Sequence, residues 1–220
     1  MSDFSTSING NDDDLFALFL LMVAFWATSW IICYVYKGGI EAFVSYSPLF
    51  VFHSVMSVFL SSLSLYFGDD EIFPERVANS FSMSFFIVDL FDCIVRKDVP
   101  FIIHAALGLS TLTGCYMTPI HQELRSASKG MMIEISTPFL YLWKKTKKKS
   151  HFILLAMTFT GCRIIWLSIY LYQMYRNESI PSDFIYISSF LLLPLQVVWW
   201  FKLMALLLNY HEGHKLVKEE

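Results

Sequence analysis

Seven ionisable side chains, His53, Asp89, Asp92, His104, Glu134, Arg163 and Lys202, lie inside long apolar runs of this chain. An ionisable group at membrane depth costs several kcal/mol unless it faces a partner or a wet cavity, so each is a candidate functional residue. A histidine supplies or accepts a proton near neutral pH, and a carboxylate within hydrogen-bond reach orients its ring for general-base work. His104, Asp89 and Glu134 are therefore the candidate catalytic set. Arg163, His53 and Lys202 are the candidates for meeting the polar part of a lipid. Each has a plainer reading. Asp92 stands one turn before Arg96, which suits an interfacial ion pair. Lys202 can snorkel to the interface along its own stem, and His53 on a serine-rich face can simply bond across helices.

Metal and disulfide chemistry are not indicated. Cys33, Cys93, Cys115 and Cys162 are far apart in apolar stretches and form no CxxC pair, so they read as small buried hydrophobes. His211 and His214 (HEGH) have near ligand spacing, but they sit in a polar tail with no third ligand evident. No bound cofactor is expected.

The elements that hold these residues must be membrane helices. Of the 220 residues, 55% are hydrophobic and 16% charged, against roughly 45–50% and about 25% in soluble domains. A net charge of −3 excludes the broad basic field of a nucleic-acid binder. Apolar run length, with breaks at Gly38-Gly39, Gly68, Pro100, Pro119 and Pro181, predicts helices at 15–36, 47–67, 76–95, 99–118, 122–143, 151–175 and 183–209. The fold class is thus an all-α integral membrane protein, a bundle of about seven transmembrane helices. The fifth is weak: PIHQELRSASKG (119–130) is polar, and a break at Pro138 would let it kink or re-enter. Residues 1–14 are a polar, acidic tail without the basic start of a cleavable signal, so the first helix, 15–36, is expected to be retained.

Charge bias orients the bundle. Of the 16 Lys and Arg, Arg163 and Lys202 lie within spans. If all seven segments cross, ten of the others (Lys37, Arg96, Lys97, five lysines of KKTKKK at 144–149, Lys215 and Lys218) share one side, and Arg76, Arg125, Lys129 and Arg176 the other. Basic residues concentrate on the cytosolic side, which puts the N-terminus in the lumen and the tail 211–220 in the cytosol. The acidic Asp69, Asp70 and Glu71 and the sequon at Asn177 then face the lumen. KKTKKK either fixes topology or attracts anionic headgroups.

With ~1.5 Å of rise per residue, His53, Asp89, His104, Glu134 and Lys202 all come about 8–12 Å from the cytosolic helix ends, and Arg163 about 18 Å. A shared depth on five segments suggests one cavity opening to the cytosol. Helical phase agrees: His53, Ser57, Ser61 and Ser64 form one polar stripe, Asp89 and Asp92 share a face, and His104, Gly108, Thr111 and Cys115 form a small or polar stripe suited to close helix approach.

In order and spacing, PLFVFHSVMSVF around His53, SFFIVDLFDCIV around Asp89, RKDVPFIIHAALG around His104, KGMMIEISTPFLYLW around Glu134, GCRIIW around Arg163 and VVWWFKLM around Lys202 resemble the TLC domain. The resemblance covers about 40–210 (six of the helices) and is closest to the small TLC-domain proteins of the endoplasmic reticulum. It implies a helical bundle around a lipid-accessible cavity, an endoplasmic reticulum membrane location, and a role in lipid synthesis, sensing or traffic. In the ceramide synthases of this family a pair of adjacent histidines transfers an acyl group from acyl-CoA; the matching dipeptide here is His104-Ala105.

Two functions follow as expectations. One is a membrane protein that binds or handles lipids and so contributes to lipid homeostasis. The other is an acyltransferase with acyl-CoA as co-substrate, His104 as base or acyl acceptor, and Asp89 or Glu134 orienting it.

Overall fold

The computed structural model describes residues 9–37, 47–68, 73–176 and 184–209. Among them the long helices are α1 (Asn9–Lys37), α2 (Ser47–Phe67), α3 (Glu75–Arg96) and α4 (Val99–Met117). Short helices α5 (Pro119–Glu123), α6 (Ser126–Met131) and α7 (Thr137–Thr146) follow. Then come α8 (Lys149–Arg176) and α9 (Phe184–Leu208). Six helices, α1 to α4, α8 and α9, are long and apolar enough to cross a membrane. The protein is an all-α membrane protein. Gly38-Gly39, Asp69, Asp70, Glu71, the Asn177 sequon, Pro181, His211, His214, Lys215 and Lys218 fall outside the described residues.

The fifth predicted helix, 122–143, does not form as one helix. Leu124 and Arg125 end α5, with Arg125 in the left-handed region at φ 50°. After α6, residues Met132–Ser136 tighten into a 3-10 turn. Pro138 explains that turn: it has no N–H for the Glu134 carbonyl four residues back, which is instead met by Thr137 N–H, three residues on. The broken segment still runs the length of α2 in the opposite direction. Arg125 and Ser128 meet the Ser64 and Glu75 end, Glu134 comes beside Ser54, and Tyr141 packs on Phe50 with ring centroids 5.7 Å apart.

α3 lies at the centre: 72% of its most apolar stretch is buried inside the protein, against 28% or less for the other five long helices. It packs on α1, α2 and α4. Its serines permit this, since small polar residues let helix backbones approach; Ser80, Ser82 and Ser84 are fully buried. Phe81, Phe85 and Phe86 fill the same helix's other gaps and, with Trp26 of α1, form the aromatic heart of the core. Cys33, Cys93 and Cys115 are buried and Cys162 is partly so. The outer faces of α1 and α9 remain apolar and exposed, as lipid-facing surfaces should be.

The small stripe on α4 works as a contact surface. A Cβ on Gly108 would sit 3.1 Å from the Phe86 ring, and one on Gly114 would sit 2.4 Å from Ile185 Cγ1 of α9. Gly114→Ala is therefore expected to destabilise the protein by about 1–3 kcal/mol through overpacking. Thermal unfolding in detergent would check this. The penalty should shrink when the same change is made in an Ile185→Ala background, which removes the clashing atoms; an equal penalty in both backgrounds would refute the close-packing account.

Candidate functional site: a buried polar layer

Arg163 is the hub. It sits in a π-helical turn of α8, Thr160–Trp166, where the wider turn re-aims side chains relative to an ordinary α-helix, a feature frequent at functional sites. Its Nε donates to Ser136 Oγ at 2.7 Å, and Nη1 to Gln196 Oε1 of α9 at 3.2 Å. Nη2 donates to Thr137 Oγ1 at 2.8 Å and to Glu134 Oε1 at 3.5 Å. The Thr137 hydroxyl in turn donates a hydrogen bond to Glu134 Oε2 at 2.7 Å. Ser54 of α2 lies 3.4 Å from the same carboxylate oxygen.

Arg163 and Glu134 are thus a buried ion pair, 8% and 5% exposed, and the guanidinium is surrounded by acceptors. The break in the chain before Pro138 makes this possible, because the 3-10 turn presents Glu134, Ser136 and Thr137 together to α8.

Three more of the sequence-derived residues gather here. His53, His104 and Asp89 are all buried and within electrostatic reach of Glu134. The stripe His53, Ser57, Ser61, Ser64 is wholly internal. The His53 ring stacks on Phe85 with centroids 3.7 Å apart, and its Nε2 meets Ser57 Oγ at 3.0 Å. His104 packs edge-on against Trp199 of α9 and Phe86 of α3, at centroid distances of 5.4 and 6.0 Å. Its Nδ1 is buried with no hydrogen-bond partner among the described residues. Among the described residues Asp89 accepts one side-chain hydrogen bond, from the Cys93 thiol 3.9 Å away on the same helix.

Lys202 is not part of this layer; it is exposed on α9. Asp92 takes the structural role its position suggested, accepting from Arg96 Nε and from Trp30 Nε1 of α1, both at 2.8 Å. Trp30 could not be anticipated as that partner, since nothing in the sequence sets the rotation of α1 against α3.

Gln196 was also missed, although a lone amide in the apolar run LLLPLQVVWW is a visible signal. It is fully buried, its Oε1 takes the Arg163 bond, and its Nε2 has no partner among the described residues. Trp199, against which the His104 ring packs, follows Gln196 by three positions on α9 and so shares its face. Gln196 Nε2 belongs to the amide that meets Arg163, and His104, whose Nδ1 is also unsatisfied, is within electrostatic reach of both Arg163 and Glu134; they are two of ten buried side-chain atoms without a partner among the described residues.

A second polar cluster sits at the other end of the bundle. Glu75, 1% exposed, accepts from Ser128 N–H at 2.9 Å and from the Ser64 and Ser128 hydroxyls. Arg125 Nη1 is 3.9 Å from it and donates to Ser64 Oγ and the Phe73 carbonyl. His121 Nδ1 pairs with Ser126 Oγ at 3.0 Å. Glu75 and His121 carried no sequence signal, because both stand at predicted helix ends where polar residues are ordinary.

No curated protein and no solved structure gives a significant match to this chain. The TLC domain family model matches residues 69–206. That stretch takes in α3 to α8 and most of α9, leaving α1 and α2, with His53, outside it. Since the match spans more than half of the chain, the protein belongs to the TLC domain family.

Proposed function

We propose that this multi-pass TLC-domain protein binds a membrane lipid in the buried polar layer and thereby contributes to membrane lipid homeostasis. The observation that carries the reading is the pair of unsatisfied buried atoms, His104 Nδ1 and Gln196 Nε2. A buried polar atom without a partner costs about 1–3 kcal/mol, a deficit that a bound carbonyl or hydroxyl would relieve. Arg163 supports the same class of ligand. Its charge is already balanced by Glu134, so a phosphate there would have to break the ion pair, whereas an uncharged group would not. A role for Arg163 in meeting a phosphate is therefore less favoured than one in positioning Glu134 and Gln196.

In the acyl-transfer reading a carboxylate within hydrogen-bond reach of His104 would orient its ring. Among the described residues no carboxylate bonds to His104: Glu134 is held by Thr137 and Arg163, and Asp89 lies beside Cys93. Lipid binding is the better-supported reading. By the charge bias, the N-terminus faces the lumen and the C-terminus the cytosol, in the endoplasmic reticulum membrane that the family resemblance suggests.

The test is mass spectrometry of lipids retained by the purified chain, beside His104→Ala and Gln196→Leu, with a parallel incubation in long-chain acyl-CoA and amine or lysolipid acceptors. The expected result is a retained uncharged or zwitterionic lipid, reduced about tenfold in each variant, the loss of roughly one hydrogen bond, and no acylated product. Equal retention in all three proteins would overturn the binding site. A product that disappears in His104→Ala would make the protein an acyltransferase instead.

A further inference from the structure

Five lysines, Lys144, Lys145, Lys147, Lys148 and Lys149, occupy the tip of the hairpin formed by α7 and α8, and all five are exposed. The tip is not a loose loop. Lys147 turns the chain in the left-handed region at φ 53°, its N–H bonded to the Trp143 carbonyl. His151 Nδ1 meets Thr146 Oγ1 at 2.6 Å across the turn, and Trp143 packs on Phe152 with centroids 4.7 Å apart. Below it, Phe152, Leu155 and Ala156 form a small core with Leu203 of α9. The lysines are therefore displayed from a fixed platform.

From Glu134 to Glu178 the sequence contains no acidic residue between the two, and Lys144, Lys145, Lys148 and Lys149 form no salt bridge among the described residues. Their height relative to the membrane follows from α8, an apolar crossing helix that begins at Lys149. Tyr141 and Trp143 stand at the same level, with Lys144 Nζ 5.9 Å from the Tyr141 ring centroid and Lys147 Nζ 5.1 Å from that of Trp143. Aromatic rings of this kind favour the headgroup boundary. The ammonium groups consequently lie at the level of lipid phosphates.

We propose that the Lys144–Lys149 hairpin tip is a docking surface for the anionic headgroups of the leaflet it borders. Topology alone would require only an excess of positive charge on that side; a rigid lysine cluster flanked by interfacial aromatics does more, since each lysine near an anionic surface adds about a fivefold preference. The lipids gathered there would differ in charge class from the uncharged group favoured in the buried layer, and the surface does not depend on that layer being a ligand site.

The experiment places the full-length chain in nanodiscs of phosphatidylcholine containing a minority of phosphatidylserine, and counts the lipids that remain on the protein by native mass spectrometry. Phosphatidylserine should be enriched at least about fivefold over its share of the bilayer, the preference of a single lysine. The enrichment should vanish in K144Q/K145Q/K147Q/K148Q/K149Q, persist when the same positions are arginine, and persist in His104→Ala. Raising the salt on the unaltered protein should remove it as well, so the result does not hang on a variant that folds poorly. No enrichment in the unaltered protein, or enrichment that survives both high salt and the five glutamines, overturns the proposal. So does capture of an acidic protein by the lysines without any preference for phosphatidylserine.

Discussion

Arg163→Met is expected to lower the stability of the folded chain by about 3–5 kcal/mol, the usual cost of removing one partner from a buried ion pair. The loss exceeds that of a single hydrogen bond because Glu134 would be left charged and 5% exposed, with Thr137 as its remaining close donor. Ser136, Thr137 and Gln196 would each lose a partner too. The cost should fall by more than half in the double variant Glu134→Gln/Arg163→Met, which removes the stranded charge. Arg163→Lys should fall between, since an ammonium keeps the charge but cannot serve Ser136, Gln196 and Glu134 from one planar fork. Unfolding in mixed detergent and dodecyl sulfate micelles measures all three, together with Glu134→Gln alone. If the double variant is as unstable as the two single changes added together, the pair is not coupled and the layer is not built around it.

Much of this layer was legible because ionisable residues in apolar runs are conspicuous, and their depth follows from helical rise. His53, Asp89, His104, Glu134 and Arg163 do converge. Lys202 met the same depth criterion but points out of the bundle: depth constrains one coordinate and leaves rotation about the helix axis free. Rotation was readable only where a helix showed several polar or small residues in phase, as in His53, Ser57, Ser61 and Ser64, all of which are buried.

The break in 122–143 was signalled by Pro138 and a polar first half, yet its consequence was not. Nothing in EISTPF states that a 3-10 turn will hand Glu134, Ser136 and Thr137 to an arginine on α8. Nor does the sequence announce the π-turn in α8 that receives them, since TGCRIIW would serve equally well as ordinary helix. Side-chain pairing across broken or widened helices depends on shifts of a fraction of a turn, below the resolution of any periodicity.

Arg125→Ala should be as damaging as the loss of Arg163, and at the opposite end of the bundle. The arginine is 7% exposed, and its Nη1 links Glu75, Ser64 and the Phe73 carbonyl. Its removal leaves the buried Glu75 carboxylate without that cation, at an expected cost of about 3–5 kcal/mol. Backbone strain adds a separable part. Arg125 holds φ at 50°, a region that costs a residue bearing a Cβ about 1–2 kcal/mol and glycine almost nothing. Arg125→Gly removes the same charge as Arg125→Ala but relieves the strain, so it should be the milder of the two by about 1 kcal/mol. Because Arg125 anchors the chain between α5 and α6, amide hydrogen exchange should rise first over 119–131 and leave the Arg163 layer protected. The sites lie at opposite ends of the bundle, so combining Arg125→Ala with Arg163→Met should give nearly additive losses. Exchange that rises equally throughout the bundle would show instead that both ion pairs stabilise a single cooperative unit, and that the broken segment does not unfold on its own.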